Sequence, residues 1–137
     1  MKIVLAYDTS NESKAAAKWA ARLASGESGS TIDVVSVVQT LEMAPDTRDA
    51  VAPTVHPEAL EKAVEEATAD LSKEVPGATV QHKLLAGNPA EQIIDAGRDA
   101  DVIVMGKSGS HGMRQFLIGT VVERVARHSE TPVLIAQ

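Results

Sequence analysis

Cysteine is absent from the 137 residues, which excludes a disulfide framework, a thiolate metal site and a thiol nucleophile. Aromatic residues are nearly absent too: Tyr7, Trp19 and Phe116 make up 2% of the chain. So few rings cannot form a stacking platform for bases. Positive charge is scarce as well. The formal net charge of −6 argues against a nucleic-acid partner, which requires a clustered basic surface. No apolar run approaches the roughly 18 residues of a membrane span, so no membrane partner is expected. The apolar stretch at the N-terminus, through Tyr7, is too short for a signal segment. These features lead to the expectation of a soluble protein in the cytoplasm.

What the chain does have is aliphatic. Hydrophobic residues make up 44% of the sequence, so the core must be built from Val, Ile, Leu and Ala. Five short runs at 2–7, 31–38, 79–86, 101–105 and 132–136 are rich in Val, Ile and Leu. Near-continuous runs of this kind mark strands buried on both faces. Segments of helical spacing separate them. Residues 10–25 place Ala16, Trp19, Ala20 and Leu23 on one face, and 57–74 place Leu60, Val64, Ala67 and Leu71 on another. Asn88-Pro89 reads as a cap with proline at the first helical position, and that helix runs to Gly97. A last helix carries Leu117, Val121 and Val125, and Met113 extends the same spacing.

Strict β-α alternation predicts one α/β domain over 1–137, with a parallel sheet and helices on both faces. Residues 40–56 break the pattern as a long polar connection containing Pro45 and Pro53. Ligands of such sheets sit beyond the C-terminal strand ends, where the strand order reverses. The loops to inspect are therefore Tyr7-Asp8-Thr9-Ser10, the residues from Gly106 onward, and Gly87-Asn88.

Gly106-Lys107-Ser108-Gly109, nine residues, then Gly119-Thr120 is the most informative stretch. A P-loop would need glycine at position 101, where Asp101 stands, and the Rossmann spacing G-x-G-x-x-G is missing. No nucleophile elbow is present, because Ser108 is followed by Gly109-Ser110. His56, His82, His111 and His128 have no metal-ligand spacing, so neither a metal site nor a catalytic group is assigned. Gly106 and Gly109 suit either a tight turn with positive φ or a backbone approached closely by a ligand. Gly119 lies within an apolar helical pattern, where glycine costs about 1 kcal/mol against alanine. A helix starting at Gly119-Thr120 would explain that cost and turn free amides toward an anion, with 110–118 arching over it. Asp8 either supports the start of the first helix or accepts hydrogen bonds from a ribose or an adenine. Lys107, His111 and Arg114 are cations able to pair with phosphate.

Gly106-x2-Gly109-x9-Gly119-Thr120 resembles the glycine motif of ATP-binding universal stress proteins. The likeness extends to the opening Ile3–Ser10 segment, to Leu85-Ala86-Gly87-Asn88-Pro89, and to the ending around Val121–Val125 and Thr131–Ile135. The resemblance implies five parallel strands in the order 3-2-1-4-5, a Rossmann-like fold of the adenine nucleotide alpha hydrolase type. By the same resemblance, Ala6 and Asp8 line the adenosine and Val37 touches the adenine ring. Met105, Gly106 and Gly109 form the ribose and phosphate loop, while Gly119, Thr120 and Val121 make a second phosphate contact. Lys107 stands where the family usually has a small residue, and it counts among the candidate ligand contacts. ATP with magnesium is the implied ligand, and a homodimer through 132–136 the implied assembly. The expected role is a nucleotide-dependent stress sensor or signalling module with at most slow hydrolysis. A homodimeric interaction module without nucleotide is the alternative, and an enzyme using His111 on a nucleotide-like substrate is a third reading.

Overall fold

The computed structural model describes residues 1–39, 57–107 and 118–137. Nine elements alternate along it: β1 Lys2–Ala6, α1 Asn11–Ser25, β2 Thr31–Val38, α2 Pro57–Glu74 and β3 Thr79–Ala86, then α3 Pro89–Gly97, β4 Val102–Gly106, α4 Thr120–His128 and β5 Val133–Ala136. All strand pairings are parallel, and the order is β3-β2-β1-β4-β5. The connection reverses direction between β1 and β4, which sit side by side at the centre (Ile3 opposite Val102, Leu5 opposite Val104). That is the topological switch point of an open α/β sheet.

The aliphatic composition makes this arrangement stable by filling both faces of the sheet. Ile3, Leu5, Ile32, Val34 and Val104 point to one face, where α1 and α2 cover them with Ala16, Ala20, Leu60 and Val64. Val4, Ala6, Val35, Ile103 and Met105 point to the other, beneath α3 and α4 with Ile93, Val122 and Val125. Burying each of the Val, Leu, Ile and Met side chains contributes about 1.5–3 kcal/mol, and together these dominate the favourable side of folding.

The buried face of α1 differs from the expected one. Ser13, Ala16, Ala20, Ala21 and Ala24 are buried, whereas Trp19 is 42% exposed and lies under the Arg22 guanidinium, 4.9 Å from the ring centroid. A helix seated on a sheet by alanines lies too close to it to accommodate an indole. The expected face of α2 and the expected start of α3 match the structure: Leu60, Val64 and Leu71 are buried with Ala67 partly buried beside them, and Asn88 caps α3 by accepting from the Glu91 amide at 3.2 Å. α4 starts at Thr120 with Gly119 as its N-cap, so the expected helix start holds, and Leu117 and Met113 fall outside the described residues.

Candidate functional site

The C-terminal ends of β1 and β4 meet the start of α4 at one place. Ala6 is the last residue of β1, and Met105 and Gly106 are the last two of β4; all three are buried. Val37, half-buried near the end of β2, packs on the same face of the sheet as Ala6 and Met105. The apolar candidates thus line one side of the switch point beneath α3 and α4.

Beyond Ala6 the chain turns sharply into α1. The Asp8 carboxylate accepts hydrogen bonds from the Ser10 amide (3.0 Å) and the Ser10 hydroxyl. Ser10 in turn caps α1 by accepting from the Ser13 amide at 3.1 Å. Thr9, between them, has φ of 71°. A β-branched residue in that region is strained and persists only where its surroundings hold it. The two Asp8–Ser10 bonds supply that restraint. Asp8 is therefore a helix-supporting residue, which leaves the ligand-binding alternative open, since a carboxylate has further acceptor sites. The Tyr7 phenol beside it is pushed up in pKa by burial and then by the carboxylates of Asp8 and Asp70, so it remains neutral.

Beyond β4, Lys107 joins three elements through its backbone. Its amide donates to the Ala136 carbonyl (2.8 Å), and its carbonyl accepts from the Gly119 amide (3.0 Å). The second bond places the buried N-cap of α4 against the end of β4 across a gap of 12 residues. Gly119 has no side chain with which to cap the helix. The amides of the first turn, Thr120 to Val122, therefore have neither an intrahelical partner nor a side-chain cap. Thr120 is exposed there and Val121 half-buried.

Gly106 corrects one expectation. It is not among the positive-φ residues, so no turn requires glycine there. A Cβ at this position would meet the backbone and Cβ of Glu12 at 2.6–2.7 Å. The close approach is to the first turn of α1. Gly109, His111 and Arg114 of the loop lie outside the described residues. The sequence reading singled out the loop with Thr9 and Ser10 but gave neither residue a role of its own, and it missed Glu12. Asp-x-Ser immediately before an alanine-rich helix is a cap signal that identifies Ser10. Glu12 had no local signal, because its role depends on a contact 94 positions away in sequence.

Two cavities lie at the opposite end of the sheet. One of about 300 Å³ includes Ser25, Glu27 and Glu74, and one of about 280 Å³ includes Arg98, His128 and Glu130. Both adjoin helix C-termini, where the dipole is negative and an anion is disfavoured. The switch point is the better candidate. Among the described residues, no group of three His, Asp or Glu side chains could hold a metal ion, and no helix is long and apolar enough to cross a membrane.

Comparison with known proteins agrees with this geometry. The profile of the universal stress protein family matches residues 1–137. A universal stress protein of Thermus aquaticus is 31% identical over 140 residues, covering 98% of this chain and 97% of that protein. One from Methanocaldococcus jannaschii is 36% identical over 63 residues, covering 44% of this chain but only 37% of its own length. The chain thus matches less than half the length of several curated relatives. Among solved structures, a universal stress protein in complex with cAMP superposes with a TM-score of 0.71 at 24% identity, covering 100% of this chain and 97% of that one. A family protein of Arabidopsis thaliana with AMP bound gives 0.61 at 19% identity, covering 99% and 90%. With the family profile matched from end to end, this chain belongs to the universal stress protein family.

Proposed function

We propose that the chain is a nucleotide-dependent stress-response module that binds ATP at the β1/β4 switch point. The observation that carries this reading is the α4 N-terminus, seated on the Lys107 carbonyl through a glycine that leaves the first-turn amides uncapped. Those amides and the positive end of the helix suit a phosphate. The residues present fit an adenine nucleotide: Ala6, Val37 and Met105 offer an apolar wall on one sheet face, and Asp8 lies beside it at the end of β1. Relatives in complex with cAMP and with AMP support the same ligand class. Gly109, Thr120, Val121 and the Lys107 ammonium complete the proposed phosphate contacts. Magnesium would arrive with the phosphates, which supply the oxygen ligands it prefers.

The reading is of sensing rather than turnover, with slow hydrolysis at most, carried out as a cytoplasmic homodimer joined through β5. Gly106 favours the second reading, an interaction module without nucleotide, to the extent that its glycine is explained by Glu12 alone. The test is thermal unfolding of protein shown by denaturation and chromatography to be nucleotide-free. Ligand at about 100 times its dissociation constant stabilises by about 2.7 kcal/mol, which raises Tm by roughly 10 °C in a domain of this size. Gly109→Val should remove the shift while leaving the unliganded Tm in place. A wild-type protein whose Tm is unmoved by ATP with magnesium, ADP or AMP would leave the interaction module as the function.

A further inference from the structure

The α1/α2 layer has an asymmetry of charge that the nucleotide site does not use. On α1, Lys14, Lys18 and Arg22 follow one another at four-residue intervals, all exposed, in a chain of net charge −6. Arg98 on the edge of α3 and Arg127 on α4 each pair with a carboxylate of their own segment. Among the described residues, none of the three α1 cations has such a pair. Arg22 lies instead over Trp19, the one tryptophan of the chain and 42% exposed. A large ring and three unneutralised cations left at the surface of one helix form a surface suited to a partner.

The complementary surface is on the neighbouring helix. On α2, Glu66, Asp70 and Glu74 are exposed at the same four-residue spacing. The last two lie on the side toward α1: Asp70 acts electrostatically on Tyr7 at the end of β1, and Glu74 lines a cavity with Ala24 and Ser25 of α1. Both helices return antiparallel to a parallel sheet, so they run in the same direction. A basic row beside a parallel acidic row is self-complementary under a two-fold axis that lies in the contact plane and runs along the helices.

We infer that a second copy of this chain docks on the α1/α2 face, the basic row of each α1 lying along the acidic row of the other's α2. That axis keeps the facing helices parallel, so Lys14 meets Glu66, Lys18 meets Asp70 and Arg22 meets Glu74. Four residues span about 6 Å along either helix, which keeps the three pairs in step. Exposed ion pairs are individually weak and screened by salt. The contact is therefore transient and sensitive to ionic strength, unlike the backbone and apolar contact proposed at β5. It does not depend on the nucleotide reading.

Light scattering and sedimentation of the full chain test it, with charge reversals as probes. The wild type at high concentration and about 20 mM salt should show twice the mass it shows at about 0.5 M, where screening is strong. Trp19 fluorescence should shift with the same midpoint. K18E/R22E and D70K/E74K should each lose the increment while keeping their Tm. Mixed in equal amounts, the two should regain it, because both contacts of the mixed pair are then complementary. Equal wild-type mass at both salt concentrations would overturn the proposal, as would failure of the mixture to recover. Capture of an acidic peptide or an anionic vesicle by a wild type that shows no self-association would also overturn it, and would assign the face to that partner.

Discussion

Gly106 and Gly119 share a sequence motif but do different physical work. At Gly106 the nearest atoms to an added Cβ are the carbonyl carbon, oxygen and Cβ of Glu12, in the capped first turn of α1. Backbone at that distance does not yield as a flexible side chain does, and overpacking costs about 1–3 kcal/mol. Gly106→Ala should therefore lower unfolding stability by about 1–2 kcal/mol after the gain from a stiffer unfolded chain is subtracted. At Gly119, φ of −63° and ψ of 153° are ordinary for any N-cap residue. Asparagine is among the best caps and glycine is only a few tenths of a kcal/mol behind. Gly119→Asn should thus keep or slightly raise stability, while its side chain occupies the first-turn amides and weakens nucleotide binding at least about tenfold. Urea denaturation and nucleotide titration of both variants separate the two roles. Equal stability losses at the two positions would refute the division.

Among the elements, β3 shows how an edge strand is kept soluble and what that requires of its neighbour. Asp33 of β2 is 2% exposed, yet it faces Gln81 and Lys83 of β3, the Lys83 ammonium lying 2.8 Å from its carboxylate. Burial pushes the Asp33 pKa up, but the hydrogen bonds and charge of Lys83 and Gln81 outweigh it, and the net displacement is downward. A carboxylate with a lowered folded pKa stabilises the protein above the ordinary carboxylate range, and that stabilisation is lost as pH falls through the folded value. Lys83→Met leaves the buried charge with Gln81 alone. Removing one partner of a fully buried pair costs about 3–5 kcal/mol; with Lys83 nearly half exposed, about 2 kcal/mol is expected at pH 7. In the variant burial prevails, the folded pKa rises, and stability is regained on acidification. The gap between the two proteins should narrow as pH falls from 7 through the raised value of the variant and close as it passes the lowered value of the wild type; a gap independent of pH would mean that packing, not charge, sets it. The sequence displayed most elements because their signals are local: Val and Ile runs for strands, Asn88-Pro89 for the start of α3, Gly119 for that of α4. It misled on α1, where so many alanines leave no contrast between faces. Trp19 was placed inside because apolarity was legible and the helix-to-sheet distance was not.

For the whole molecule, strict alternation was enough to predict a parallel two-faced sheet, but not the order of its strands. Each β-α-β unit looks alike locally, and only the resemblance to a known family placed β4 beside β1. That adjacency is what brings Ala6, Asp8, Met105, Lys107 and Gly119 together, so the site was legible as a motif before it was legible as a place. The two edges of the sheet then differ in a way that bears on assembly. β3 exposes Gln81, His82 and Lys83, and charged side chains of this kind discourage pairing with another strand. β5 is Val133-Leu134-Ile135-Ala136, with no charge and three half-buried side chains, paired with β4 on one side. An apolar edge with unpaired backbone groups is a template for a second strand. If a second copy pairs there, the β5 amides directed away from β4 acquire acceptors that the equivalent β3 amides lack. Amide hydrogen exchange followed across protein concentration should show those β5 amides slowing as concentration rises, while the outer amides of β3 remain fast throughout. High salt should leave this protection in place, which distinguishes it from the salt-sensitive association inferred for the α1/α2 face. β5 amides that exchange as fast as those of β3 at every concentration would exclude the edge as an interface.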